Sequence, residues 1–173
     1  KTIHDFGGLP PALHAYQYPA PGDPLLAARV HDLLAPSAVR LDQDWGLDHG
    51  TWSVLAHVYP EADIPVVQLA IDRTRPAAFH YSLGQRLAPL RDEGVMLVGS
   101  GNIVHNLGVI QWNPRAAPYP WATQFNDATR ALLQRHDHAP LIAYESLVDA
   151  ARMAVPTPEH YLPALYVMGA RRE

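Results

Sequence analysis

A short apolar run that ends abruptly in small turn residues most constrains this fold. Residues 95–98 read Val-Met-Leu-Val, and residues 99–102 read Gly-Ser-Gly-Asn. A β-prone run before a glycine cluster is typical of a buried strand leaving its sheet. Ligands of open α/β sheets bind just beyond the carboxyl ends of strands, so His105 lies at a place suited to chemistry. The alternative is a histidine that only hydrogen-bonds its own loop.

Two further segments predict strands, residues 63–72, with a central apolar run over residues 66–71, and residues 38–41. Apolar spacing and stop signals predict helices around them, over residues 12–16, 24–34, 53–59, 76–91, 121–134 and 141–153. Strands that alternate with helices indicate an α/β fold with a central, mostly parallel or mixed β-sheet flanked by helices. No linker divides the chain, so we expect one domain over residues 1–173.

Composition excludes several classes of protein and of site. The net charge is −4 without a basic block, which argues against a nucleic-acid or membrane surface. The chain has no cysteine, so it has neither disulfides nor thiolate ligands, as fits the cytoplasm. Ten histidines supply nitrogen ligands, and any metal must be held by nitrogen and oxygen. The sequence also lacks the serine-hydrolase elbow, the P-loop and the dinucleotide-binding glycine motif.

The second candidate site residue is His49, which lies between Asp48 and Gly50 and is flanked by Trp45 and Trp52. Glycine permits a close approach, and Asp48 could orient the imidazole for proton transfer. The alternative is that Asp48 caps a helix and that His49 is a surface residue.

The third candidate is the pair Glu159-His160, which follows Pro-Thr-Pro. Imidazole and carboxylate ligands suit iron, zinc or manganese. The alternative is a helix that begins at Thr157 or Pro158 and carries Glu159 in its first turn.

The other histidines are interpreted as structural. His4-Asp5 lies in a loop, and residues 136–138 (His-Asp-His) form a charged turn. His14, His31, His57 and His80 fall on helices or at their edges, where surface or packing roles are expected.

Taken together, several stretches resemble the class III (LigB-like) extradiol ring-cleaving dioxygenases, and most closely the bacterial 4,5-DOPA dioxygenase group. The main matches are residues 46–52 (Gly-Leu-Asp-His-Gly-Thr-Trp), 99–107 (Gly-Ser-Gly-Asn-Ile-Val-His-Asn-Leu) and 156–163 (Pro-Thr-Pro-Glu-His-Tyr-Leu-Pro). Residues 2–8, 18–22, 90–94 and 119–123 match as well. The resemblance covers the whole chain, and its motifs are specific jointly rather than singly.

The resemblance implies a non-haem metal that binds a catechol and dioxygen and opens the ring beside the two hydroxyls. His160 then matches a metal ligand, with Glu159 as the alternative at that position. His105 matches a histidine at the metal centre that acts as ligand or as acid/base. His49 matches a histidine that moves a proton without binding the metal. Iron(II) is the expected metal, and zinc would compete for the same ligands in a crystal.

One departure from the family pattern matters. Its two early histidine motifs, His-Gly-Ser-Pro-like and Ser-Ala-His-Trp-like, are not in this sequence. We therefore expect an upstream segment with at least two parallel strands that completes the sheet and the metal site. Two other functions stay open, namely an inactive relative that serves as a binding or structural subunit, and a zinc-dependent hydrolase. If the dioxygenase interpretation is right, His105 and His160 lie close together at the carboxyl edge of the sheet, with His49 near them.

Overall fold

The structure is a computed structural model that describes residues 1–8, 10–37 and 39–171, and its regular secondary structure is helical. The α-helices of this described part are α1 (Pro11–Ala15), α2 (Pro24–Leu34), α3 (His49–Val58), α4 (Ala77–Leu87), α5 (Pro120–Gln134), α6 (Ala139–Ile142), α7 (Ala151–Ala154) and α8 (Leu162–Gly169). Short 3-10 helices cover Ala88–Glu93, Leu107–Val109 and Tyr144–Ser146. None of these helices is long and apolar enough to span a membrane.

The predicted central β-sheet is wrong for this structure. Within the described ranges, β-pairing is limited to one isolated parallel bridge between Thr2 and Leu47. Residues 66–71 and 95–98, which were predicted to be central strands, carry no regular structure. Of the predicted strand 38–41, residue 38 lies outside the described residues and residues 39–41 are irregular.

The physical reason is that apolar patterning reports a tendency to be buried and does not supply a pairing partner. A strand exists only when a neighbouring backbone bonds to its N–H and C=O groups. In the 66–71 segment, Val66 donates one backbone hydrogen bond to the Pro21 carbonyl at 2.8 Å, which is a single contact and not a ladder. Met96 and Val98 are 70% and 57% exposed, so the second apolar run is not covered on both faces as predicted.

Several predicted helices are confirmed, with boundaries set by caps. Asp23 caps α2, and its carboxylate accepts hydrogen bonds from the backbone N–H groups of Leu25 and Leu26. Helix α3 begins at His49, four residues earlier than predicted, because the Asp48 carboxylate caps it. Helix α5 begins at a proline, whose missing N–H costs nothing in the first turn.

Other helix boundaries differ from the predictions. The predicted helix 76–91 changes from α to 3-10 geometry at Ala88, directly before Pro89, which has no N–H for the helix. The predicted helix 141–153 is broken into α6, a 3-10 turn and α7. Helix α8 begins at Leu162, so Glu159 lies before the helix and not in its first turn.

The chain divides into two compact units, Lys1–Ala70 and Ile71–Glu173, and the prediction of a single domain stays a prediction. The buried core of the first unit is Tyr18, Leu47, Trp52, Leu55 and Ala62. The core of the second unit includes Phe125, Leu132, Leu141, Tyr144, Tyr161, Leu162 and Leu165.

Helices α4 and α8 pack closely in the second unit because glycines lie where their backbones meet. A side chain at Gly84 would overlap the backbone of Tyr166, and one at Gly169 would overlap the carbonyl of Tyr81. Only Tyr161 lies between His160 and α8, so this packing anchors the segment that carries His160.

Candidate functional site

The imidazole rings of His105 and His160 stack face to face, although the two residues are 55 positions apart in the sequence. Their centroids are 3.6 Å apart and their planes differ by 8°. Both side chains are half-buried. The prediction that these two histidines lie close together is therefore confirmed, whereas the sheet edge on which it placed them is not present in the described residues.

Backbone hydrogen bonds bring the two histidines together. The N–H of Asn102 donates to the carbonyl oxygen of His160 at 2.9 Å. The N–H of His105 donates to the carbonyl of Ala154 at 2.8 Å. The side-chain amide of Asn106 donates to the Met153 carbonyl at 2.9 Å. The glycine-rich turn is thus joined to the segment before α8 at three points.

The glycine at position 101 is needed for this approach. A Cβ built there would overlap the carbonyl oxygen of His160, and a Cβ at Gly99 would lie 2.6 Å from the Pro163 carbonyl oxygen. The turn can therefore lie against the His160 segment only because it has no side chains at these positions.

Glu159 is held by its own loop. Its Oε1 accepts a hydrogen bond from the Thr157 hydroxyl at 2.6 Å. Burial, the largest single effect, would raise the pKa of Glu159, but this hydrogen bond, a backbone hydrogen bond and the charges of His160 and Arg73 together lower it. The other oxygen, Oε2, is buried and has no hydrogen-bond partner among the described residues. Glu159 is thus an ionised carboxylate. It is adjacent in the sequence to His160, whose ring stacks on that of His105.

A cavity of about 340 Å³ opens beside His105. Its wall includes Val109, Ile110, Tyr119 and Trp121, and the last two rings stack with centroids 5.3 Å apart. The volume is within the usual range for small-ligand sites, and the lining of apolar and aromatic groups suits a flat aromatic molecule. Sequence analysis missed these residues, although the Tyr-Pro-Trp motif at 119–121 was one of the family matches.

The described residues do not complete a metal centre. Imidazole nitrogens are suitable donors for iron or zinc. Parallel rings 3.6 Å apart, however, do not direct two nitrogens to one ion at about 2.1 Å. No group of three or more His, Asp or Glu side chains gathers within the described ranges.

In the first unit, His49 is oriented by Asp5. The Asp5 Oδ1 lies 2.9 Å from the His49 Nδ1 and also accepts the His49 backbone N–H at 3.1 Å. Phe6 contacts the imidazole edge to face, with centroids 5.2 Å apart. Burial, the largest single effect, would raise the pKa of Asp5, but the hydrogen bonds from the side chain and backbone of His49, a local backbone hydrogen bond and the charge of His49 together lower it. Asp5 is thus an ionised partner for this histidine.

The suggestion that Asp48 orients His49 is wrong. The Asp48 carboxylate accepts from the Thr51 N–H at 3.0 Å and from the Gln68 side-chain amide at 2.8 Å. It is therefore the helix cap that the alternative interpretation described. Asp5, which was assigned to an ordinary loop, is the hydrogen-bond partner of His49 that sequence reasoning missed, and its signal was the matching stretch over residues 2–8.

Two histidines outside these sites have clear structural roles. His80 is fully buried, and its Nδ1 lies 3.0 Å from the Tyr166 hydroxyl, so the predicted packing role is confirmed. Burial lowers the pKa of His80. The Nδ1 atom of His138 lies 2.9 Å from the Tyr81 hydroxyl, and the residue is half-buried. The prediction that this turn is solvated is therefore wrong for His138.

The chain is similar to known proteins along its whole length. The sequence model of the LigB family, described as the catalytic LigB subunit of aromatic ring-opening dioxygenase, matches residues 1–173. The chain is 54% identical over 173 residues to a 4,5-DOPA dioxygenase extradiol of Escherichia coli strain K12, covering 98% of the chain and 64% of that protein. It is 43% identical to a 4,5-DOPA dioxygenase extradiol of Beta vulgaris, over 99% of the chain and 65% of that protein.

A solved structure agrees with these matches. The crystal structure of an uncharacterized protein from Escherichia coli K12 superimposes with a TM-score of 0.83 and 52% identity, over 91% of the chain and 66% of that protein. The chain thus spans just under two thirds of the length of the relatives it matches. The family match over residues 1–173 and the 54% identity lead to one conclusion. The chain belongs to the LigB family.

Proposed function

We propose that the protein is an extradiol ring-cleaving dioxygenase that acts on a catechol such as DOPA. The observation that carries the proposal is the stacked pair His105 and His160 beside an aromatic-lined cavity of about 340 Å³, in a chain of the LigB family. The names of the two relatives described above point to DOPA as the substrate to test first.

The proposed reaction balances without any further reactant. The carbon–carbon bond beside the two hydroxyls breaks, and the oxygen–oxygen bond breaks as well. Both oxygen atoms enter the product, one in a carboxylate and one in an aldehyde. The catechol is oxidised and dioxygen is reduced.

We propose a separate role in the reaction for the aromatic wall and for each of the three candidate histidines. The aromatic wall around Tyr119 and Trp121 would hold the ring of the substrate by stacking and would exclude water. His105 would act at the reacting centre as ligand or acid/base, and His160 would be a metal ligand. His49 would serve as a proton carrier in the reaction, for which a neutral imidazole is suited.

We further propose iron(II) as the metal, which would bind the catechol and dioxygen together. Zinc is the competing ion, because it binds the same nitrogen and oxygen ligands without redox chemistry. Glu159 stays the alternative to His160. The engagement of the Glu159 carboxylate by the Thr157 hydroxyl supports His160 as the ligand.

The experiment is turnover of DOPA under ¹⁸O₂ by the intact iron-loaded protein, with product mass read by mass spectrometry. We expect a ring-opened product that carries both labelled atoms. The zinc-loaded protein is the control and should give no product.

The two alternatives predict different results. A zinc-dependent hydrolase would add oxygen from water and none from ¹⁸O₂. An inactive relative that serves as a binding subunit would give no product with any catechol. Either result would overturn the proposed function.

A further inference from the structure

We propose that Asp5 is a positioning residue that holds the imidazole of His49 in the tautomer protonated on Nδ1, so that Nε2 is the atom available to accept a proton. This inference rests on the proposed function, in which His49 serves as a proton carrier. It assigns a role to a residue that the family resemblance did not single out.

One carboxylate oxygen of Asp5 contacts His49 at two atoms. One oxygen of Asp5, Oδ1, is 2.9 Å from the His49 Nδ1 and 3.1 Å from the His49 backbone nitrogen. Because the two donors converge on one atom, the carboxylate fixes the ring relative to the start of α3. The residues are separated by 44 positions, so the contact is made by the fold and not by local sequence.

The Asp5 carboxylate also determines which ring nitrogen of His49 carries the proton. An ionised carboxylate can only accept hydrogen bonds, so the nitrogen that faces it must carry the hydrogen. Asp5 is ionised near neutral pH, since the hydrogen bonds and charge of His49, with a local backbone hydrogen bond, together outweigh the effect of burial and lower its pKa. In neutral His49 the hydrogen therefore lies on Nδ1, and Nε2 keeps its lone pair.

The His49–Asp5 pair is partly exposed, and Phe6 orients the imidazole ring. The side chains of His49 and Asp5 are 45% and 30% exposed, so the pair is not sealed inside the core. Phe6, the next residue after Asp5, packs against the ring at a 90° interplanar angle. One short segment thus fixes both the tautomer and the plane of the imidazole, as second partners of catalytic histidines commonly do.

The neighbouring acid, Asp48, provides a matched comparison. It is adjacent to His49 in the sequence, but its carboxylate is bonded to Thr51 and Gln68. The substitution D48N removes the same charge as D5N while leaving the Asp5–His49 contacts in place. Asn is also a good helix cap, so D48N should preserve α3.

The experiment is long-range ¹H–¹⁵N NMR of the histidine rings in the intact protein at a pH above neutrality, with the His49 signals assigned by their loss in H49Q. We expect the Nδ1–H tautomer in the wild type and in D48N. In D5A we expect the Nε2–H tautomer, which neutral imidazole prefers when no acceptor faces Nδ1. D5N should restore the Nδ1–H tautomer, since an amide oxygen can accept both hydrogen bonds.

Turnover of DOPA gives the second measurement. D5A should lower kcat by at least about tenfold with little change in KM, because general acid–base catalysis is lost and binding is not. D5N should lower kcat less than D5A, and D48N should leave it near the wild-type value.

Two outcomes would overturn the inference. One is an unchanged His49 tautomer in D5A. The other is a D5A protein that loses the tautomer and keeps its kcat. If the wild type opens no catechol, the proposed function is what fails, and the NMR comparison alone then decides whether Asp5 positions His49.

Discussion

The carbonyl oxygen of His160 accepts a hydrogen bond from the backbone N–H of Asn102 at 2.9 Å. This contact joins the glycine-rich turn to the segment that leads into α8. The ring of His160 also stacks on the ring of His105, which lies three residues after Asn102. The turn that carries His105 is therefore bonded to the backbone of His160, and changes in the turn should alter the positions of both histidines.

The first prediction concerns Gly101. G101A would place a Cβ on the His160 carbonyl, so the turn must move away. We expect a loss of about 1–3 kcal/mol in the free energy of unfolding, as is usual for overpacking. Urea unfolding measures it. G22A is the control, because a Cβ at Gly22 meets no atom within 4 Å. Equal stability of the two variants would contradict the close approach.

The second prediction concerns Tyr161, which follows His160 and is fully buried. Its hydroxyl donates to the Leu141 carbonyl at 2.9 Å, and burial raises its pKa. Y161F leaves that carbonyl without its donor and should cost about 1–3 kcal/mol. Thermal and urea unfolding test this, with Y16F as the exposed control. A neutral effect of Y161F would mean that the hydroxyl contributes nothing to the site segment.

The third prediction is a pH dependence that arises from His80. Burial lowers its pKa from 6.5, so the folded protein holds it neutral while the unfolded chain binds a proton. Stability is therefore fully present above about pH 6.5 and falls as the pH drops below it, by up to about 1.4 kcal/mol per pH unit until the folded pKa is reached.

The comparison with H80Q isolates this effect, because the carboxylates titrate alike in both proteins. The wild type should be the more stable protein at pH values above 6.5, and the difference in unfolding free energy should shrink as the solution is acidified. A difference that is constant across this range would contradict the assignment of a neutral buried imidazole.

The fourth prediction concerns the cap of α3. D48A removes the hydrogen bonds to the Thr51 N–H and the Gln68 amide, and it should cost about 0.5–2 kcal/mol. D48N should recover most of that loss. Urea unfolding of the three proteins measures it. If D48A and D48N were equally unstable, the charge of Asp48 and not its capping bond would matter.

Much of the helical structure could be predicted from sequence because its signals are local. Asp23 before Pro24 set the start of α2, and apolar spacing set α5. The sheet could not be predicted reliably, because the apolar runs at 66–71 and 95–98 contain no information about a pairing partner. Backbone pairing is a long-range property, and in the described residues these runs have none.

The candidate site was predictable in part. The glycine turn and the Pro-Thr-Pro segment identified His105 and His160, and their contact is confirmed. The partner of His49 was misassigned because Asp48 is its sequence neighbour, whereas Asp5 reaches it only through the fold. The predictions that His105 and His160 bind a metal and that His49 moves a proton stay predictions.

The most direct test of the account is oxygen uptake with DOPA by the intact iron-loaded protein, measured for the wild type, H105A, H160A and the control H31A. His31 is an exposed residue of α2 that pairs with its neighbour Asp32. We expect rapid uptake by the wild type and by H31A, and a loss of at least about a hundredfold in H105A and H160A. Uptake by H105A or H160A at the wild-type rate would contradict the claim that this stacked pair carries the reaction.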